Sequence, residues 1–116
     1  MAVSAEFQNY VLEQLAAVGA IMPKKMFGGV GLYYRKIFFG ILFNNNLYLK
    51  VDDSNRKDYE KEGMPAFKPF AGRPMTMQYY EVPAEVLEDK RQLTIWTQKA
   101  IEVAANANKT KPRQKQ

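Results

Sequence analysis

The chain has 116 residues, 47% of them hydrophobic and 25% charged, which fits one globular domain and is too apolar for a disordered segment. It contains neither cysteine nor histidine, which excludes disulfides, thiolate nucleophiles, zinc–thiolate sites, imidazole bases and every Ser-His-Asp arrangement. The formal charge of +5 is uneven: Lys109, Lys111, Arg113 and Lys115 supply four of the 17 basic residues, while residues 1–108 hold 13 bases against 12 acids.

Ser4 is placed to cap a first helix, with Phe7, Val11, Leu12, Leu15 and Val18 at helical spacing and Gly19 at its end. Pro23 blocks continuation, and Lys24 and Lys25 lead into Met26-Phe27-Gly28-Gly29-Val30-Gly31. Those glycines rule out helix and predict a bulged or tightly turning entry to a strand.

From Val30 to Val51 the pattern is extended. Strands at Val30–Tyr34, Ile37–Phe43 and Leu47–Val51 are separated by Arg35-Lys36 and by Asn44-Asn45-Asn46, and asparagine tolerates the positive φ of a hairpin turn. In the third strand Leu47, Leu49 and Val51 alternate with Tyr48 and Lys50, as a half-buried strand requires. In the second, Ile37, Phe39, Ile41 and Phe43 alternate with Phe38, Gly40 and Leu42. It is apolar on both sides, and is expected to be central or to lie under a partner, with Phe38 and Leu42 as candidate interface residues for a homodimer.

Asp52 and Asp53 are placed to cap a short helix from about Ser54 to Glu62, stopped by Gly63, with Tyr59 its one large apolar residue and Arg56 and Glu60 spaced for an ion pair. Pro65, Pro69 and Gly72 predict an irregular or edge segment over Met64–Arg73, with Phe67 and Phe70 turned inward. Met75–Val82 reads as a further strand, and Pro83 opens a helical turn reaching about Glu88. Asp89 caps a last helix to about Asn106, with Leu93, Trp96, Ala100 and Val103 on its buried stripe. The expected organisation is one domain over residues 1–107 and a basic flexible tail over 108–116. The expected fold class is α+β: a two-layer domain with an antiparallel sheet of 4–5 strands, packed by N- and C-terminal helices, with a short helix after the third strand.

The glycine run does not fit a dinucleotide loop, because a strand follows it and Tyr34 stands where a last glycine is needed. Lys24, Lys25, Arg35 and Lys36 lie among Phe27, Tyr33 and Tyr34, a mixture suited to stacking and holding single-stranded nucleic acid. With Lys109, Lys111, Arg113 and Lys115 of the tail they are the candidate contacts for nucleic acid or a partner, although Lys25-Met26-Phe27-Gly28-Gly29 departs from the RNA-recognition signature. Asp52, Asp53 and Asn55 lack the glycine and glutamate of a calcium loop. Glu81, Glu85, Glu88 and Asp89 read as helix N-terminal charges. No catalytic, cofactor or metal site is expected. The absence of an apolar run of roughly 20 residues and of a secretory leader predicts a cytoplasmic protein without membrane contact.

Several stretches stand in a definite order: Met26-Phe27-Gly28-Gly29 with Gly31, Leu47-Tyr48-Leu49-Lys50-Val51-Asp52, Asn55-Arg56 with Tyr59, Gly63-Met64, Tyr79-Tyr80-Glu81-Val82-Pro83, and Val86-Leu87-Glu88-Asp89 with Trp96. In this order and spacing, over about residues 24–104, the chain resembles the N-terminal domain of the TfoX/Sxy family of bacterial competence regulators. The resemblance implies a two-layer α+β fold and a link to natural competence, in which full-length relatives act as transcriptional coactivators alongside a cyclic-AMP receptor protein. Those relatives carry a further C-terminal domain where this chain has its short basic tail. The resemblance implies no catalytic residues and no cofactor. The expected function is therefore a non-enzymatic regulatory or adaptor domain, a transcription coregulator working through protein–protein contacts. The alternatives are a nucleic-acid-binding module using the basic hairpin and tail, and a small-molecule sensor.

Overall fold

Ser4 opens the first helix of the computed structural model, which describes residues 3–26, 28–67 and 78–114. Its Oγ accepts a hydrogen bond from the Phe7 N–H at 3.1 Å and so caps helix α1 (Ala5–Gln14). The N–H of Ser4 donates to Asn45 Oδ1 at 3.0 Å, which fastens the start of this helix to a distant hairpin tip.

Five strands follow: β1 (Met22–Met26), β2 (Gly29–Tyr34), β3 (Ile37–Phe43), β4 (Asn46–Lys50) and β5 (Tyr79–Glu81). They form one sheet in chain order, every neighbouring pair antiparallel. Helix α2 (Arg56–Glu60) lies between β4 and β5, and α3 (Ala84–Glu88) and α4 (Lys90–Gln114) come after the sheet. The architecture is the α+β arrangement expected, a five-stranded antiparallel sheet with N- and C-terminal helices.

The sheet begins one strand earlier than the hydrophobic pattern indicates. Pro23 and two lysines hide β1, and an edge strand tolerates both. The glycine run makes the turn from β1 to β2, with Gly28 at φ +77°. Gly29 passes so close to the neighbouring strand that an added Cβ would lie 2.3 Å from the Leu42 carbonyl oxygen.

The helices cover one face of the sheet. Val30, Leu32, Phe39, Leu42, Leu47 and Leu49 join Val11 and Leu15 of α1, Tyr59 of α2, Val86 of α3 and Leu93, Ala100 and Ala104 of α4 in one core. Each large side chain fully withdrawn from water there contributes about 1.5–3 kcal/mol.

Strand β3 departs from strict alternation. Leu32 pairs with Gly40 and Tyr33 with Phe38, so Phe39 is an extra residue, a β-bulge. The bulge changes the parity along the strand. Ile37, Phe39 and Leu42 reach the helix-side core, while Phe38, Ile41 and Phe43 belong to the opposite face. Phe38 and Leu42 are therefore not one surface. Leu42 is wholly buried beneath the helices and is corrected from interface to core, whereas Phe38 is half-buried on the other face. β3 is central, as expected. Both of its edges are occupied, so a dimer cannot form by pairing along it.

Asn55, 2% exposed, organises the chain after β4: its Oδ1 accepts from the Asp52 N–H at 2.8 Å and its Nδ2 donates to the Lys50 carbonyl at 3.1 Å. Asp52 holds the turn instead of capping the helix, accepting from the Ser54 N–H at 2.8 Å, and Arg56 pairs with Asp53 where the spacing suggested Glu60. Gly63 ends the segment at φ +69°. Phe67 is buried as expected, and its N–H donates to the Tyr79 carbonyl at 2.7 Å while the Glu81 N–H donates to the Pro65 carbonyl at 3.0 Å. Residues 65–67 thus cover the outer edge of β5. Phe70 and the first part of the strand expected from Met75 lie outside the described residues.

Pro83 stands just before α3 and not within it. Asp89 caps α4, its Oδ1 accepting from the N–H groups of Arg91 at 3.0 Å and Gln92 at 3.1 Å. The helix continues past Asn106 to Gln114. Ala104, Ala105 and Ala107 have strong helix preference and no glycine interrupts them, so the backbone of residues 108–114 prolongs α4.

Candidate functional site

Two hairpin turns in this chain have the same geometry and different chemistry. Asn44 and Asn45 join β3 to β4 at φ 51° and 58°, and Arg35 and Lys36 join β2 to β3 at φ 49° and 69°. Positive φ at both central residues is the two-residue turn that matches strand twist. Asparagine enters that region with little strain, but a residue with a long side chain is disfavoured there by about 1–2 kcal/mol.

The pairing of β1 with β2 decides which cations join this tip. Met22 is opposite Tyr33 and Lys24 opposite Gly31, and a Cβ on Gly31 would meet Met26 and Phe38, so this set occupies the face away from the helices. Lys24, Arg35 and Lys36, together with Ala20, Met22 and Tyr33, line a cleft of about 560 Å³. Lys25 is opposite Val30, a residue of the helix-side core. It lines a separate cleft of about 430 Å³ with Val3, Gln8, Met26 and Gly29. Of the four candidate cations before the chain's end, Lys24, Arg35 and Lys36 are thus brought together and Lys25 is not. Lys109, Lys111 and Arg113 lie on the final turns of α4 backbone, and Lys115 lies outside the described residues.

Tyr33 begins a row of rings across the sheet. It stacks on Phe38 with centroids 5.1 Å apart, and Phe38 meets Tyr79 at 5.5 Å. Lys50 Nζ lies 5.1 Å from the centroid of the Tyr79 ring, a cation–π contact at the far end of the row. Beside it, Phe67 packs on Tyr48 at 4.8 Å and on Phe43 at 5.3 Å, over Ile41. Burial, and secondarily the Tyr33 phenol, pushes the Tyr79 phenol well above its ordinary range. Burial and the Glu81 carboxylate raise that of Tyr48, against a lowering hydrogen bond with Asn46. Both phenols stay neutral at physiological pH and subtract nothing from the positive charge.

The charge of this region has a simple origin. Between Gln14 and Val51 the chain carries Lys24, Lys25, Arg35, Lys36 and Lys50 and no acidic residue, so β1–β4 hold the imbalance that the whole-body count conceals. Met22 and Tyr79 were not legible as members of the site. Met22 is two-thirds exposed on a strand that the pattern hides, and only the register of β5 decides between Tyr79 and Tyr80.

The acidic residues have local tasks. Asp52 and Asp53 are engaged in the turn before α2, and hydrogen bonds from Gln92, then Arg91, hold the Asp89 carboxyl below its ordinary range. Among the described residues no group of three acidic side chains is placed to hold a metal ion, and no helix is long and apolar enough to cross a membrane.

The model of the family described as TfoX N-terminal domain matches residues 13–104, from the end of α1 through the sheet and well into α4. The chain belongs to the TfoX N-terminal domain family. No curated protein matches it. The matched span contains the cleft, the aromatic row and all five strands of this TfoX N-terminal domain, and it stops before the four cations of the chain's end.

Proposed function

We propose that this TfoX N-terminal domain is a non-enzymatic regulator that acts in the bacterial cytoplasm on transcription of genes for DNA-uptake competence, through contacts with proteins of the transcription machinery. The observation that carries this reading is the family match over residues 13–104, which takes in the whole sheet and most of the helix layer. Composition supports it, since a chain without cysteine or histidine has few side chains suited to nucleophilic or acid–base catalysis. The most strongly raised pKa values belong to the packed phenols of Tyr59 and Tyr79, whose shifts follow from burial.

Deleting the gene in the organism that encodes it and restoring it from a plasmid tests the proposal. Transformation frequency and competence-gene transcripts are expected to fall together and to recover together. In a defined transcription reaction, the purified chain is expected to raise output from a competence promoter in the presence of RNA polymerase and a cyclic-AMP receptor protein. Unchanged transcripts in the deletion strain and unchanged output in vitro would overturn it.

A further inference from the structure

We propose that the cleft lined by Met22, Lys24, Tyr33, Arg35 and Lys36 binds a nucleotide, its phosphate held by the three cations and its base laid against Tyr33 and Met22. This goes beyond the regulatory reading and does not depend on it.

Three observations converge. The cleft, at about 560 Å³, has the size of a small-molecule site, and its lining, among the described residues, combines three cations and no acid with an aromatic ring and an exposed thioether side chain. A phosphorylated nucleoside has the matching halves: an anion for Lys24, Arg35 and Lys36, and a flat apolar face for Tyr33. The second observation is conformational. The Asn44-Asn45 turn shows how this chain makes the same bend without strain, yet the turn beside the cleft holds Arg35 and Lys36 at positive φ. Stability alone favours asparagine or glycine there, so these two cations occupy the turn at a cost that charge placed on the cleft explains. The third is that the ring row continues from Tyr33 through Phe38 to Tyr79, where Lys50 lies over the ring. A nucleotide that is one unit of a single strand would meet the half-buried Phe38 ring next along this row.

The test uses the whole 116-residue chain and fluorescence anisotropy. One arm takes a labelled single-stranded decanucleotide, the other a labelled mononucleotide, each over a salt series. The informative variant is Arg35→Asn with Lys36→Gly, which removes two cations while giving the turn its preferred residues, so loss of binding cannot be ascribed to loss of fold. It is expected to weaken binding at least ten-fold and, for the strand, to make the salt dependence shallower by about 0.7 for each phosphate no longer neutralised. Tyr33→Leu is expected to weaken binding roughly five-fold or more by removing the stacking surface. Changing Lys109, Lys111, Arg113 and Lys115 together to glutamine is expected to leave most of the affinity in place. Binding of both probes with these dependences assigns the cleft to nucleotides generally, and binding of the decanucleotide alone assigns it to single strands. Binding of neither probe, or binding indifferent to the turn variant and abolished by the glutamine variant, would overturn the proposal.

Discussion

Tyr59 of the short helix stands edge-on to Trp96 of the long one, with ring centroids 4.7 Å apart and planes at 70°. The Tyr59 ring is 1% exposed, and its hydroxyl is buried without a hydrogen-bond partner among the described residues. Burial, and then the charge of Asp58, pushes this phenol far above its ordinary range, so it stays neutral at physiological pH. The ring is useful to the core and the hydroxyl is not.

Tyr59→Phe is therefore expected to leave stability unchanged or raise it by about 1 kcal/mol, because an unmatched buried hydroxyl costs that order of free energy. Tyr59→Ala removes the ring as well and is expected to cost about 3–5 kcal/mol. Urea unfolding followed through Trp96, the single tryptophan, measures both. A clear loss of stability in Tyr59→Phe would show that the hydroxyl is bonded after all.

The bulge at Phe39 separates two residues that a regular strand would put together. Leu42→Ala, in the core, is expected to cost about 2–5 kcal/mol. Phe38→Ala, half-buried between Tyr33 and Tyr79, is expected to cost distinctly less. Equal losses from the two substitutions in thermal or urea unfolding would contradict the assigned faces.

Gly29 tests the closeness of β2 to β3. Alanine there would put a methyl group 2.3 Å from the Leu42 carbonyl oxygen, a backbone atom that cannot move without breaking the ladder. Gly29→Ala is expected to lower the melting temperature by several degrees at least. Gly28→Ala would meet nothing within 4 Å among the described residues and is opposed by its φ of +77°, so it is expected to be the milder of the two.

Asp89 links stability to pH. Its carboxyl is held below the ordinary value of 3.8 by hydrogen bonds from Gln92 and Arg91, so the folded state binds its proton less readily than the unfolded state. A depressed pKa of this kind contributes stability that is fully present above the unfolded value. That contribution is lost as pH falls below about 4 and through the folded value. Asp89→Asn is expected to remove this part of the acid dependence in melting curves taken between pH 6 and pH 2. Parallel curves for the two proteins across that range would rule the linkage out.

Much of the fold was legible in residue periodicity. Leu47, Leu49 and Val51 against Tyr48 and Lys50 give the faces of β4 directly, and Ser4 and Asp89 mark the starts of α1 and α4. What stayed hidden depends on pairing between segments. Strand β1 has no apolar alternation, only a proline and two lysines in a slot that the neighbouring strand defines. The bulge at Phe39 has no local signature either, since both registers of Ile37–Phe43 are apolar, and it alone makes Leu42 a core residue. The basic aromatic site was half-legible: Arg35 and Lys36 beside Tyr33 are adjacent in sequence, but the choice of Lys24 over Lys25 rests on their alternation across β1. Asn55, a buried polar clip, reads in sequence as one more turn residue.

The two borders of the sheet differ from its interior in one respect. Residues 65–67 close the outer side of β5, and β1 presents Pro23, which cannot donate, between exposed lysine and methionine side chains. A chain so finished at both margins cannot easily grow by adding strands from its neighbours, whether into ordered filaments or into aggregates of half-folded copies. A strand approaching from outside finds the β5 margin already paired and one donor missing from β1, so the broad faces of the sheet, and not its borders, carry the side chains open to other molecules.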